Sequence, residues 1–580
     1  MSYLGVARSL TGRRWIGPTP ETDRLAEAMA QDTTLPRALC QTLARLGVAS
    51  ADATAYLDPK LRDLMPDPRS LKDMEAAATR FLQAVERREK IAVFADYDVD
   101  GGASAALLID CLRQMGVAAT LYVPDRIDEG YGPNAAAMAE LAAAHDLILC
   151  VDCGTLSHEA LAAATAADVV VLDHHLGGET LPPALAVVNP NRQDESGDLA
   201  HLCAAAVVFL MLVEAGRQLR EAGRQGPDLM SMLDLVALAT VADVAPLRDV
   251  NRAFVRTGLA VMGQRRRPGL VALGDVARLD TAPTAYHLGF VLGPRVNAGG
   301  RVGRADLGAR LLACNDPAEA MSLAEKLDEL NTERRDVESA VRAAALDQAE
   351  ARGLDAPLVW AAGEGWHPGV VGIVASRLKE ATNRPAIVIG MSGDEGKGSG
   401  RSVSGVDLGH AIQRLAAEGL LLKGGGHKMA AGLTVARDKL EAAMARLSDL
   451  LARQGAGSSG PADLALDGLL MPGAATPELV EQIEQAGPFG AGAPGPRYAF
   501  CDMGITFAKR VGDSHLKFRF GDGIGPSVDA IAFGAYDSEM GQALEQHGGA
   551  RFHLAGRLDI NTWGGRQTVQ LRLEDAALAV

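Results

Sequence analysis

The 580 residues, 48% of them hydrophobic, can bury several cores, so three or four domains are expected and one compact domain is not. A net charge of −16 has the wrong sign for coating a polyanion by bulk electrostatics, so any nucleic acid must be held at a local site. No run of about eighteen uncharged apolar residues occurs, and Met1–Arg8 lacks the basic-then-apolar order of a secretory signal, so the reading is a soluble, cytoplasmic protein with no membrane contact.

In chain order, residues 1–70 read as a mostly helical segment rich in Ala and Leu, broken by Pro36, Pro59, Pro66 and Pro68. From Ile91 short apolar runs (Ile91–Ala95, Ala119–Val123, Leu147–Val151, Val169–Leu172) alternate with Ala-rich helical stretches, the pattern of a parallel sheet covered on both faces. Helical periodicity dominates about Ala204–Leu247 and again 317–352, where the second stretch reads as a long charged helix connecting domains. A smaller α/β segment spans 353–454. After a Gly/Ser linker, residues 462–580 are strand-rich with Gly turns and predict a small β-barrel.

Seven cysteines, an odd number without framework spacing, fit a reducing compartment. Cys150 and Cys153 form a C-x-x-C with no second pair and are expected as buried strand-end residues rather than a zinc or redox centre.

Acidic and His residues gather at the expected strand ends or a helix end: Asp96, Asp98 and Asp100 before Gly101-Gly102, then Asp152, then Asp173-His174-His175, and Asp243. Singly, each could be a helix cap, a tight turn or a hydrogen-bonded core group. In an open α/β sheet, however, strand ends line one crevice, and five or more carboxylates packed there repel unless a cation sits among them. Oxygen ligands with one imidazole suit Mn²⁺ or Mg²⁺, and two ions could serve hydrolysis at phosphorus. Asp152 is the candidate bridge, Asp98, Asp100, His174 and Asp243 complete the ligand set, and Asp96 is a further ligand or a supporting partner. Asp173 could orient the neighbouring imidazoles.

Asp-Tyr-Asp-Val-Asp-Gly, Val-Asp-Cys-Gly, Asp-His-His and Ala-Thr-Val-Ala-Asp, in this order, resemble the motif series of the DHH phosphoesterase superfamily. The resemblance implies the same metal ligands, with His175 facing the scissile phosphate and Asp96, Asp152 and His175 as the catalytic group. Lys423-Gly424-Gly425-Gly426-His427 sets three glycines, whose amides can approach phosphate closely, beside basic residues, with a turn before a strand as the alternative. It resembles the DHHA1 signature, as does the Ser399–Ser404 stretch, whose Arg401 could fork onto a phosphate.

Blocks around Trp366–Arg377, Gly293–Arg301 and Val123–Gly132, with the Gly487–Pro496 region, resemble the RecJ family of single-strand-specific exonucleases. One departure is Ala493, where that family usually carries Asn. The resemblance covers roughly residues 70–575 and, beside the helical segment 1–70 read from its own pattern, implies a DHH domain 71–316, a connecting helix 317–352, a DHHA1 domain 353–454 and an OB-type barrel 462–580. It makes Arg126, Arg301 and Arg401 candidates to hold a DNA backbone or its 5′-terminal phosphate, with Asn297 and His427 nearby; surface salt bridges are the alternative for the arginines. Tyr131 and Trp366 could stack a base or simply pack.

The activity so implied is 5′→3′ hydrolysis of single-stranded DNA to 5′-mononucleotides in repair and recombination, beside a single-stranded-DNA-binding protein and a RecQ-like helicase. Two other readings stand beside it: a phosphodiesterase for short oligoribonucleotides or cyclic dinucleotides, and an inactive DNA-binding scaffold.

Overall fold

The computed structural model describes residues 2–125, 129–457, 462–563 and 566–579. The chain forms two compact units, Leu61–Ser458 with Gly490–Gly492, and Met1–Lys60 with Ser459–Phe489 and Ala493–Val580.

In the larger unit, β1 (Ile91–Ala95), β2 (Ala119–Tyr122), β3 (Leu147–Val151), β4 (Asp168–Leu172) and β5 (Ala186–Val188) form an all-parallel sheet in the order β2-β1-β3-β4-β5. Every residue of β1 and β3 is buried, which is why both strands read as uninterrupted apolar runs. Helix α1 (Val99–Gln114) follows β1, and α2 (Ala135–Ala144) packs Met138 and Leu141 against Phe94, Ile148 and Cys150. Helices α3 (Ala204–Glu221) and α4 (Leu233–Ala242) pack against α1. Strand order reverses between β1 and β3, so their carboxyl ends flank a topological switch point, the place where such sheets bind ligands.

Helix α5 (Gly293–Val302) leads towards α6 (Pro317–Arg352), a 36-residue helix of about 54 Å. Asp316 caps it, accepting from Glu319 N at 2.7 Å, and Gly353 ends it at φ +96°. α6 packs on α5 and also on β6 (Val359–Glu364) and α7 (Pro368–Thr382). A second sheet joins β6 to β7 (Ala386–Ser392), β8 (Glu395–Arg401), β9 (Lys423–His427) and β10 (Ala430–Ala436) in the order β9-β10-β8-β7-β6. Only the β6–β7 pair is parallel. The glycine run of Lys423–His427, which could have been a turn, is therefore an edge strand. One face of it packs against α8 (Leu408–Ala417), where Ile412 sits against Gly424.

In the smaller unit, Tyr498–Val511, His515–Gly521, Val528–Ala532, Arg566–Leu578 and Arg551–Trp563 pair in sequence, and Arg551–Trp563 pairs back onto Tyr498–Val511, closing a barrel. Tyr498, Phe500, Phe518, Phe520 and Phe552 fill it. Residues 1–60 are not wholly helical: Arg14–Ile16 forms a parallel pair with Asp463–Ala465, and Trp15, fully buried, donates from Nε1 to Asp575 Oδ2 at 2.9 Å. The segment does contain the helices Pro20–Asp32 and Arg37–Arg45, but its local pattern gave no sign of a three-residue strand whose partner lies far along the chain.

Candidate metal centre

The loop after β1 carries Asp96, Asp98 and Asp100. Asp98 caps α1, its Oδ1 accepting from the amides of Asp100 (2.9 Å) and Gly101 (3.2 Å). The turn is so tight that a Cβ on Gly101 would lie 2.4 Å from the Asp96 carbonyl oxygen. Asp100 is buried and accepts from Ala204 N (2.7 Å) and Ala205 N (2.8 Å), the amide-rich start of α3. Asp152 follows β3 in the left-handed region, at φ +59°, while Asp243 ends α4.

These groups converge. Ligand atoms of Asp96, Asp98 and Asp152 lie within 4.8 Å of one another, as do those of Asp100, His174 and Asp243, and those of Asp152, His174 and His175. Asp152 and His174 each belong to two of the groups. His174 Nε2 is 3.3 Å from Asp152 Oδ1 and 3.7 Å from Asp100 Oδ2, and its Nδ1 is 3.8 Å from Asp243 Oδ2.

Burial, then the neighbouring Asp98, Asp100 and Asp96, pushes the Asp152 carboxyl well above the usual range. Burial also raises Asp100, and burial followed by Asp100 and Asp98 pushes Asp243 up to about 8. Asp152 Oδ1 is buried without a hydrogen-bond partner. A buried orphan carboxylate oxygen amid like charges is what a divalent cation would satisfy, and the oxygen-rich donor set with one imidazole fits Mn²⁺ or Mg²⁺.

Asp173 stands behind this cluster. Its Oδ1 accepts from His174 N (2.7 Å) and from His175 Nδ1 (2.8 Å), and its Oδ2 from Thr155 N (3.1 Å). Burial opposes ionisation of Asp173, yet the hydrogen bond and charge of His175 and the Thr155 bonds hold it below its ordinary value. Burial likewise works against a charged His175, but Asp173, then Asp243 and Asp96, push that imidazole up to about 9. Its Nε2 lies 3.1 Å from the Tyr131 hydroxyl.

Asn189 and Asn191, just past β5, were not picked out from the sequence. Asn189 Nδ2 donates to Thr155 Oγ1 and to the His175 carbonyl, both at 2.8 Å, and Asn191 Nδ2 to the His174 carbonyl at 2.6 Å. The available signal was an Asn-Pro-Asn following an apolar strand. Cys150 and Cys153 are buried free thiols; burial pushes Cys150 up to about 12 and Cys153 well above its usual value, so neither offers a thiolate.

The substrate candidates are dispersed around this centre. Asn297 on α5 accepts from Val99 N through Oδ1 (3.0 Å), bracing the loop that bears Asp98. Arg301 Nη1 donates to the Gly369 carbonyl in the first turn of α7 (3.1 Å), and Arg401 Nη1 to Ser399 Oγ and the Gly400 carbonyl (both 2.9 Å). A Cβ on Gly372 would lie 3.1 Å from Arg401 Nη2, so the first turns of α7 run between the two arginines. Gly424, Gly425, Gly426 and His427 lie on β9. Trp366 packs its ring on Gly363 and joins the core around Val370 and Val388. Arg126 lies outside the described residues.

Residues 90–240 match the DHH family, N-terminal domain, residues 355–453 the DHHA1 domain, and residues 466–575 the RecJ OB domain. The single-stranded-DNA-specific exonuclease RecJ of Dickeya dadantii is 38% identical over 96% of this chain and 97% of its own. The chain belongs to the RecJ family. The fold agrees: RecJ from Thermus thermophilus in complex with Mn²⁺ superposes with a TM-score of 0.79 at 31% identity, covering 97% of this chain and 79% of that one. The same RecJ in complex with Mg²⁺ gives 0.73 at 29% identity, covering 97% and 78%. The RecJ assignment makes this multidomain α/β chain, with its DHH, DHHA1 and OB-type parts, a member of an exonuclease family.

Proposed function

We propose that the protein is a single-stranded-DNA-specific exonuclease that works from the 5′ end and releases 5′-mononucleotides. The observation that carries this reading is a run of three adjoining groups, in which Asp152 links Asp96 and Asp98 to the His174–His175 pair and His174 links that pair to Asp100 and Asp243. Such a constellation suits two divalent cations, which would supply Lewis acidity and offset phosphate charge. Asp98, Asp100, Asp152, His174 and Asp243 would hold them, with Asp96 beside them.

The chain's own groups do the rest. Asp173 holds the His175 ring by Nδ1, so a protonated Nε2 can hydrogen-bond a non-bridging oxygen of the scissile phosphate. Arg301 and Arg401 fix the backbone or its terminal phosphate. Water attacks phosphorus, the bond to the O3′ of the first nucleotide breaks, and the next nucleotide keeps its 5′-phosphate. The domain limits expected from the sequence are retained within this proposal, as are a single-stranded-DNA-binding protein and a RecQ-like helicase as partners.

The test is a time course with 5′-labelled and 3′-labelled 50-nucleotide DNA and Mn²⁺, comparing the protein with its Asp152→Ala variant. Immediate mononucleotide release from the 5′ label, absent in the variant, is the expected result. Hydrolysis of dinucleotides with no shortening of the long strand would overturn it in favour of a small-substrate phosphodiesterase.

A further inference from the structure

Asp98 and Asp100 stand at the start of α1, and Asp243 at the end of α4. The two helices pack against each other and run antiparallel, since the ends that meet at His174 are an amino end and a carboxyl end. Asp110 lies on α1 ten residues beyond Asp100, and Asp234 on α4 nine residues before Asp243, each roughly 14 to 15 Å along its helix axis. Arg267 joins these two far ends. Its Nη1 donates to Asp110 Oδ2 at 2.5 Å and its Nε to Asp234 Oδ2 at 2.9 Å.

The bridge is buried, with side-chain exposures of 10% at Arg267, 4% at Asp234 and 17% at Asp110. The other carboxylate oxygens are occupied too: Asp110 Oδ1 accepts from Arg113 Nη1 at 2.7 Å, and Asp234 Oδ1 from Leu235 N at 2.8 Å. Backbone contacts place the turn that carries Arg267. A Cβ on Gly269 would lie 2.0 Å from the Leu311 carbonyl oxygen, so the helix Pro268–Val276 begins directly against the helix Leu307–Ala313. Arg113 Nη2 donates to the Ala313 carbonyl at the end of that same helix, at 2.7 Å.

Between the bridge and the metal centre, α1 runs Ala103-Ser-Ala-Ala-Leu-Leu108 and α4 Leu235-Val-Ala-Leu-Ala-Thr240, all buried. Thr240 donates within its own helix to the Val236 carbonyl, and Ser104 Oγ has no partner. Among the described residues no hydrogen bond or ion pair joins the two helices directly. Apolar contact is non-directional, so it holds α1 and α4 together without fixing how far one slides or turns on the other. At the metal end α1 is pinned by the amides of Ala204 and Ala205 on Asp100, whereas the Asp243 side chain makes no hydrogen bond among the described residues. α4 is therefore the member whose place depends on the far end.

We infer that Arg267 is a positioning residue for the metal centre: by locking α4 to α1 at their far ends, it fixes where Asp243 stands relative to Asp100 and His174. The inference rests on the metal-centre reading proposed above. Arg80 offers a contrast in the same unit. It also bridges two carboxylates, Nε to Asp168 Oδ2 and Nη2 to Glu89 Oε2, both at 2.6 Å, at the start of the strand that leads to His174. That strand, β4, is registered on both sides by its backbone ladders with β3 and β5, so the residues beyond it are placed without Arg80.

The experiment compares Mn²⁺ binding by calorimetry, melting temperature and steady-state hydrolysis of single-stranded DNA in four proteins: the unaltered chain, Arg267→Lys, Arg267→Met combined with Asp234→Asn, and Arg80→Lys. An ammonium keeps the charge but not the fork that reaches two carboxylates, so Arg267→Lys should lose about tenfold in Mn²⁺ affinity and in kcat, with KM little changed. The double variant withdraws both charges together while Asp110 keeps Arg113, so its melting temperature should stay near that of the unaltered chain while Mn²⁺ affinity and kcat fall by a similar factor. Arg80→Lys should lower the melting temperature and leave Mn²⁺ affinity within about twofold. Unchanged Mn²⁺ affinity in either folded Arg267 variant, or an equal loss in Arg80→Lys, would overturn the inference and leave the metal centre intact. Failure of the unaltered chain to bind Mn²⁺ would overturn both.

Discussion

Asp173 Oδ1 and His175 Nδ1 are 2.8 Å apart, and the same carboxylate oxygen also accepts the His174 amide at 2.7 Å. One buried acid therefore fixes both histidines of the pair, one through its backbone and one through its ring. Asp173→Asn keeps the shape but reverses or weakens the ring contact. kcat should fall about 10- to 100-fold with KM little changed, and Mn²⁺ affinity measured by calorimetry should stay within a few-fold. Equal losses in metal affinity and kcat would show that Asp173 acts on the ligands instead.

Asp243 and His175, with Asp100 and Asp152 shifted in the same direction, contribute to the pH behaviour of the metal-free protein. Folding raises Asp243 from 3.8 to about 8 and His175 from 6.5 to about 9, so the folded state favours the proton at both. Their contributions to stability are complete below the unfolded values and are lost as pH rises through about 8 and 9. The melting temperature of the metal-free protein should fall from pH 6 to pH 9. Mn²⁺ must displace the Asp243 proton, so it should raise the melting temperature more at pH 8.5 than at pH 6, with proton release seen by calorimetry in buffers of different ionisation enthalpy. A metal-induced rise independent of pH would contradict this.

Gly101→Ala places a methyl group 2.4 Å from the Asp96 carbonyl oxygen. The loop must open, moving Asp98 and Asp100 together. Metal affinity should drop at least tenfold and nuclease activity at least a hundredfold, measured by calorimetry and by release of labelled nucleotide.

Arg301 is positioned where α7 begins, its Nη1 bonded to the Gly369 carbonyl. Arg301→Ala should reduce kcat/KM for single-stranded DNA by tenfold or more. Arg301→Lys should not restore it, since an ammonium cannot both hold the carbonyl and fork onto phosphate. Full rescue by Lys would reduce the role to simple charge.

Trp15 is buried in a small apolar cluster with Val6, Leu464, Leu466 and Ala577 and donates to Asp575. Trp15→Ala should cost the smaller unit about 3–5 kcal/mol, read by urea denaturation. A loss below about 1 kcal/mol would mean that the N-terminal strand contributes little to the barrel's stability.

Alternation of buried strands and helices is written in local periodicity, and the acidic and His residues at strand ends follow from it. Ile91–Ala95 and Leu147–Val151 are apolar throughout because both faces are covered, and the next residues out of each strand are the carboxylates. So the sheet and the place of Asp96, Asp98, Asp152 and His174 were legible in the residue order. What the order left open depends on partners distant in sequence. That Asp100 takes the first amides of α3, that Asn297 braces Val99, that Arg14–Ile16 pairs with Asp463–Ala465, and that the glycines of β9 form an edge strand paired with β10 are all contacts that residue order alone does not fix. Local patterning fixes which face of an element is apolar, but only the packed chain decides which polar atom meets which, because those hydrogen bonds form between segments brought together by burial of the apolar faces.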